Sequence, residues 1–219
     1  MALSADALTT VAIVASEVSG IQLPTDQAAV ERQINVASDA IRRFCNRPLT
    51  HAVVTSERYK ALDGHRLILK RRPVLSIESI VTASGTIDIS GYYIENAEAG
   101  IIWFDAGLAV VEETAPGSMA QDGLPGSGEA DVLVSYTGGW ITEAQVEAAA
   151  AETPARTITR TLPYELEDAA IKTFASLWHR RGVDLSAGSM ESGEPGRTFG
   201  GVIPGPVIPT LKRFQTWVL

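Results

Sequence analysis

TDQAAVERQINVASDAIRRFCNRP, residues 25–48, carries Val30, Ile34, Ala37, Ile41 and Phe44 at three- and four-residue steps, the spacing that lines one face of an α-helix. The helix begins at Thr25 or Asp26 and stops at Asn46 and Pro48, because the residue before a proline avoids the helical region. Fully burying the four larger side chains of that stripe contributes on the order of 1.5–3 kcal/mol each. This is a core face. A second helix of the same kind opens at Leu162-Pro163, with proline near the first helical position, where its missing N–H costs nothing. Glu165, Glu167 and Asp168 occupy its first turns and His179, Arg180 and Arg181 its last, a polarity that complements the helix dipole. Its buried face is Leu166, Ala170, Phe174, Leu177 and Trp178, and Gly182 ends it. A shorter helix is predicted over 4–18, with Ser4 as N-cap and Gly20 and Pro24 beyond its end.

Between the two long helices the period changes from helix to strand. Runs at 53–59 and 66–69 flank Asp63-Gly64, a hairpin turn signal. Further strands are expected at 75–81, 92–95, 100–104, 109–111 and 131–136, with turns at Ser84-Gly85, Ser90-Gly91 and Gly138-Gly139. The stretch 112–130 is rich in Gly, Pro and Ser and reads as a loop. Short strands at close spacing predict a small antiparallel unit. The alanine-rich run within 142–161 lacks an apolar stripe and reads as a solvated helical turn in a linker. The expected fold is therefore α+β, a helical core in which N-terminal helices pack with a C-terminal helix, interrupted by an antiparallel β unit. Its parts are 1–49 (helical core), 50–140 (β-rich insert), 141–182 (linker and core helix) and 183–219 (extended loop and C-terminal arm).

The last of these is the least ordinary. Residues 182–206 are Gly/Ser/Pro-rich and hold few apolar side chains. Ordering each residue costs about 1–2 kcal/mol of backbone entropy, so such a loop is expected to be mobile or ordered from outside the chain. An apolar tail follows, with Val207, Ile208, Leu211, Phe214, Trp217 and Val218. Two destinations are open to it: a neighbouring molecule, or the chain's own core.

The 219 residues suffice for one substantial core with a subdomain, and 45% hydrophobic with 20% charged residues is too apolar for general disorder. No run approaches the ~18 apolar residues of a membrane helix. No basic residues precede the apolar patch at 11–15, so residues 1–20 read as a folded helix, not a secretory signal. The single cysteine, Cys45, offers no internal disulfide and no CxxC, which fits folding in a reducing cytoplasm. A net charge of −8 argues against sequence-independent nucleic-acid binding, which draws on phosphate neutralisation. The basic groups Arg42-Arg43, Lys70-Arg71-Arg72 and Arg180-Arg181 sit at element ends.

Catalytic patterns are missing from the sequence. His51, His65 and His179 lie in different elements without metal-ligand spacing and read as surface or capping residues. There is no GxSxG elbow, Ser189 and Ser192 have no neighbouring base, and Cys45 sits where a small buried hydrophobe is the default. The glycine-rich stretch 123–128 lacks the Lys-Ser/Thr of a phosphate loop. No catalytic residue, cofactor or metal site is assigned.

The order of elements resembles that of the head–tail connector adaptor (head-completion) proteins of tailed bacteriophages and prophages, from about Asp26 to Leu219. The likeness lies in the helix leading to Arg47-Pro48-Leu49, then Tyr59, Leu67-Ile68-Leu69 and Arg72-Pro73-Val74-Leu75-Ser76-Ile77. It continues through Tyr93-Ile94, Ile101-Ile102-Trp103-Phe104 and Val134-Ser135-Tyr136-Thr137-Gly138-Gly139-Trp140. It closes with Leu162-Pro163, Leu177-Trp178-His179-Arg180-Arg181, a glycine-rich loop and a short final segment. The stretches 112–130 and 142–161 depart from the pattern.

The resemblance implies a non-enzymatic virion protein that forms a ring, a dodecamer in the family. That ring sits in the neck between the portal and a tail or stopper component and continues the DNA channel. DNA would pass without specific binding, no membrane would be involved, and assembly would take place in the host cytoplasm. An acidic wall fits a channel in which DNA slides. The expected interface anchors are Phe199, Val202, Ile203, Phe214 and Trp217, since aromatic residues dominate interface energetics. Two other readings stand beside it: a tail terminator or other minor virion protein, and a small ligand-binding or hydrolytic enzyme using the β unit as a platform.

Overall fold

The computed structural model describes residues 2–61, 65–82, 85–108, 130–180 and 202–215. The chain is α+β and separates into two compact units, one formed by 1–50 with 140–219 and the other by 51–139.

The discontinuous unit is helical. It contains α1 (Val11–Glu17), α2 (Gln27–Cys45), α3 (Glu143–Ala150), α4 (Tyr164–His179) and α5 (Ile208–Lys212). The predicted stripe of α2 is its buried face: Val30, Ile34, Ala37 and Ile41 are inaccessible, Phe44 is half-buried, and Cys45 joins them. Asn46 ends the helix in the left-handed region at φ 52°, a conformation that asparagine tolerates better than most residues. Helix α4 runs antiparallel to α2, which divides the interior in two. Val30, Ile34 and Ala37 meet Phe174 and Trp178, together with Ala7, Val14 and Val18. Ile41, Cys45 and Leu49 meet Leu162, Leu166, Ala169 and Ala170, together with Leu8, Val207 and Leu211. The stacked rings of Phe174 and Trp178, 5.6 Å apart, close the first cluster.

Two expectations are corrected here. The first helix starts at Val11 with Thr10 as its cap, not at Ser4. The Leu8 amide donates to the buried Ser38 Oγ of α2 (3.0 Å) and the Ser4 amide to Asn35 Oδ1 (2.9 Å), so tertiary bonds hold this backbone out of a helix. Within 142–161 a genuine helix, α3, replaces the expected solvated turn. Thr142 Oγ1 accepts from the Gln145 amide while Gln145 Oε1 accepts from the Thr142 amide, a reciprocal cap, and Ala149 is buried. The apolar tail, as far as it is described, lies on its own unit: Val207 and Leu211 are core residues.

The second unit is all-antiparallel. Strands β1 (Ala52–Ala61), β3 (Val74–Thr82), β4 (Gly85–Thr86) and β7 (Ala130–Gly138) form a sheet in the order β1-β7-β3-β4. Strands β2 (Arg66–Ile68), β5 (Tyr92–Asn96) and β6 (Ile101–Phe104) form a second in the order β2-β6-β5. The runs at 53–59 and 66–69 are strands but not partners. One pairs with β7 and the other with β6, so long-range pairing overrides the local turn signal. Val132, Val134 and Tyr136 alternate inward from β7 and meet Leu67, Ile102 and Phe104 of the other sheet in a single core. The predicted turn at 63–64, strand at 109–111, loop at 112–129 and helix stop at Gly182 lie outside the described residues.

A polar knot fastens this core. Tyr59 and Tyr136 donate to Glu57 Oε2 (2.6 and 2.9 Å), and their hydroxyls stand 3.0 Å apart. The Lys70 and Arg71 amides donate to those hydroxyls (3.0 and 3.1 Å), and Lys70 Nζ reaches Glu57 Oε1 (3.1 Å). Partial burial alone would raise the Glu57 pKa. The bonds from Tyr59, Tyr136 and Lys70, with the Lys70 charge, instead hold it below the usual carboxylate range. Burial and the Glu57 carboxylate push the Tyr59 hydroxyl far above its ordinary value.

Candidate protein-interaction surfaces

In the helical unit, the face of α2 opposite its buried stripe carries Arg32, Asn35, Val36, Asp39, Ala40 and Arg43. They recur at three- and four-residue steps, as the stripe does, and Val36 and Ala40 break an otherwise polar pattern. Together with Phe44 and with Val202, Ile203 and Ile208 of the C-terminal segment, they line an open groove of about 930 Å³. The apolar lining is accessible: Val36 is 43% and Val202 40% exposed. Asp39 binds Arg42 and Arg43, the latter at 2.8 Å. The Arg42 hydrogen bond and the charges of both arginines hold the Asp39 carboxyl below its ordinary pKa. With Arg43 paired to Asp39, Arg32 leaves the charged groups around the opening one positive charge in surplus, in a chain whose net charge is −8.

The anchors expected from sequence fall in three places. Val202 and Ile203 come together on the groove wall, Ile203 also packing on the α2–α4 core. Phe214 is half-buried and meets Trp140 edge-on, with ring centroids 5.8 Å apart, while the Arg47 guanidinium lies 4.9 Å over the same indole. Phe199 and Trp217 lie outside the described residues. Val36 and Phe44 were not among the expected anchors. A valine off the helical stripe, on the face that also carries Arg32 and Arg43, was the available signal.

The β unit presents two exposed features of its own. At the first, Ile89 leads a three-residue 3₁₀ turn and is 76% exposed. Asp88 Oδ1 caps the turn by accepting from the Ser90 amide (2.9 Å) and hydroxyl (2.8 Å), and these bonds lower the Asp88 pKa. The Asp105 amide ties Gly91 O from the other side (3.1 Å). At the second, Trp103 of β6 stacks on His65 at 5.3 Å, with the Arg66 guanidinium 5.1 Å over its ring and the half-exposed Tyr93 paired to it across the strands.

The titratable groups weighed as catalytic candidates are dispersed. His65 shares a hydrogen bond with Phe104 O (2.9 Å). His51 has its pKa lowered by burial and by Arg71, and His179 ends α4. Cys45 is fully buried with its thiol 4.0 Å from Leu211 O, and burial raises its pKa to about 11. Among the described residues no group of three or more His, Cys, Asp or Glu side chains is placed to hold a metal ion, and no helix is long and apolar enough to cross a membrane. Ser189, Ser192 and the stretch 123–128 lie outside the described residues.

No family model and no curated protein matches this chain. Solved structures do. A chain in the neck of the empty gene transfer agent (GTA) particle, computed with C6 symmetry, aligns over 100% of this chain and 94% of its own length, at 17% identity and a TM-score of 0.50. The same coverage and identity hold for a chain in the virion of the native GTA particle (TM-score 0.46) and one in the neck of the native particle computed with C12 symmetry (0.45). At such identity the first likeness is one of fold, and it spans both units.

Proposed function

We propose that this chain is a non-enzymatic structural subunit of the neck of a tailed phage or phage-like particle. It acts there as an adaptor ring that joins the portal to the next tail or stopper component and continues the DNA channel. The observation that carries the reading is the likeness of fold, over the whole chain, to a chain in a GTA particle neck. The ordered resemblance of its sequence segments to head–tail connector adaptors supports the same role. A ring needs two different matching faces on each subunit, and the α2 groove, with Val202 and Ile203 on its wall, supplies one exposed apolar surface. The net charge of −8 suits a wall along which DNA slides. In the proposed role the ring is dodecameric, assembled in the host cytoplasm and retained in the virion neck.

The test is native mass spectrometry with negative-stain imaging of the purified chain, alone and with the portal of its own particle. Closed rings, alone or on the portal, are expected. A chain that stays monomeric and does not bind the portal would refute the role.

A further inference from the structure

We infer that the α2 groove is the socket for a second copy of this chain, and that the plug is the Ile89 turn of that copy with Asp88 and Asp105 beside it. The inference rests on the ring reading above and names the surfaces that would close the ring.

Three observations meet in it. The first is exposure: Ile89 is the most exposed large aliphatic side chain among the described residues, while Val36 and Val202 leave the apolar lining of the groove open to water. Covering each with the other removes both from solvent. The second is charge. Beyond the Arg43–Asp39 ion pair the groove rim carries the positive Arg32, whereas the plug carries Asp88 one residue before Ile89 and Asp105 against the end of the same turn. Opposed signs steer encounter and fix register. The third is preorganisation. The turn is held by the Asp88–Ser90 bonds and by the Asp105 amide on Gly91 O, so little freedom is lost when it docks. Socket and plug are different surfaces of one chain. A contact between them is head-to-tail and builds a ring when the rotation closes.

The experiment uses the full chain and measures ring population against concentration by native mass spectrometry, with circular dichroism confirming the fold of each variant. Ile89→Asp, at an exposed position, should abolish rings or weaken association at least tenfold, and Val36→Asp should do the same from the socket side. Arg32→Asp and Asp105→Arg should each weaken association, and the double variant should recover most of the loss. Neither side chain makes an ion pair within the described residues. Ile89→Asp rings at the wild-type concentration, or a charge swap that stays as weak as its single variants, would overturn the pairing and leave the ring reading intact. A wild-type chain that stays monomeric with and without portal would remove the reading beneath it.

Discussion

Leu211→Ala tests whether the C-terminal segment belongs to the subunit's own interior. Leu211 is fully buried in α5, among Ile41 and Cys45 of α2 and Leu166 and Ala170 of α4. The substitution removes three carbons, at about 0.8 kcal/mol per buried methylene, or about 2.4 kcal/mol of transfer free energy. An unrelaxed cavity would add to this, and buried Leu→Ala changes span about 2–5 kcal/mol. Helix α5 has only five residues, so it has latitude to settle inward and the lower half of that range applies. A loss of about 2.5–3 kcal/mol is expected. With a urea m-value of about 2 kcal/mol/M it lowers the midpoint by about 1.2–1.5 M. The assay is urea unfolding followed by far-UV circular dichroism, with Val202→Ala, a change at a groove position 40% exposed, as the control expected to stay within about 0.5 kcal/mol. A loss below about 1 kcal/mol for Leu211→Ala would refute the placement of α5 in the core.

Tyr136→Phe should destabilise the β unit by about 1–3 kcal/mol, because it strips the acceptor of the Arg71 amide and a donor to Glu57 while leaving the ring in place; chemical denaturation measures it. Glu57 has a folded-state pKa below its unfolded value, so its contribution is complete above about pH 4.5 and is lost as pH falls through the depressed value. Glu57→Gln should therefore show a shallower loss of stability than wild type below that point in acid titrations of the unfolding midpoint. Thr142→Ala removes half of the α3 cap and should cost about 0.5–2 kcal/mol. Thr142→Ser should retain most of it, read from thermal unfolding of both variants.

The long helices were legible because Val30, Ile34, Ala37 and Ile41, and again Leu166, Ala170 and Phe174, repeat at helical steps and are in fact the buried ones. Strand positions were legible for the same kind of reason, as at Val132, Val134 and Tyr136. Partnership was not. That β1 crosses to β7 depends on partners 69 to 86 residues away, which no local turn signal encodes. The start of α1 was hidden by Ser38, a side chain on another helix that captures the Leu8 amide. Helix α3 was missed for lack of a stripe, although the Thr142-x-x-Gln145 pattern of a reciprocal cap stood in the sequence. Of the residues that line the groove, Val202 and Ile203 were named from their apolar character. The groove itself needed the fold, since it forms only where α2 and the C-terminal segment come side by side.

The helical unit is discontinuous in the chain, and its two stretches are stitched where the Trp140 amide meets Leu49 O at 2.9 Å. On the ribosome this imposes a timetable. Helix α2 emerges with its apolar stripe bare, and the surfaces that cover it, Leu166 to Trp178 and then Val207 and Leu211, are translated only after the β unit. The β unit, continuous in sequence, is complete well before then. Nascent chains stalled before Leu162 should therefore display α2 as a ready target for chaperones, and release from them should coincide with synthesis through Leu211.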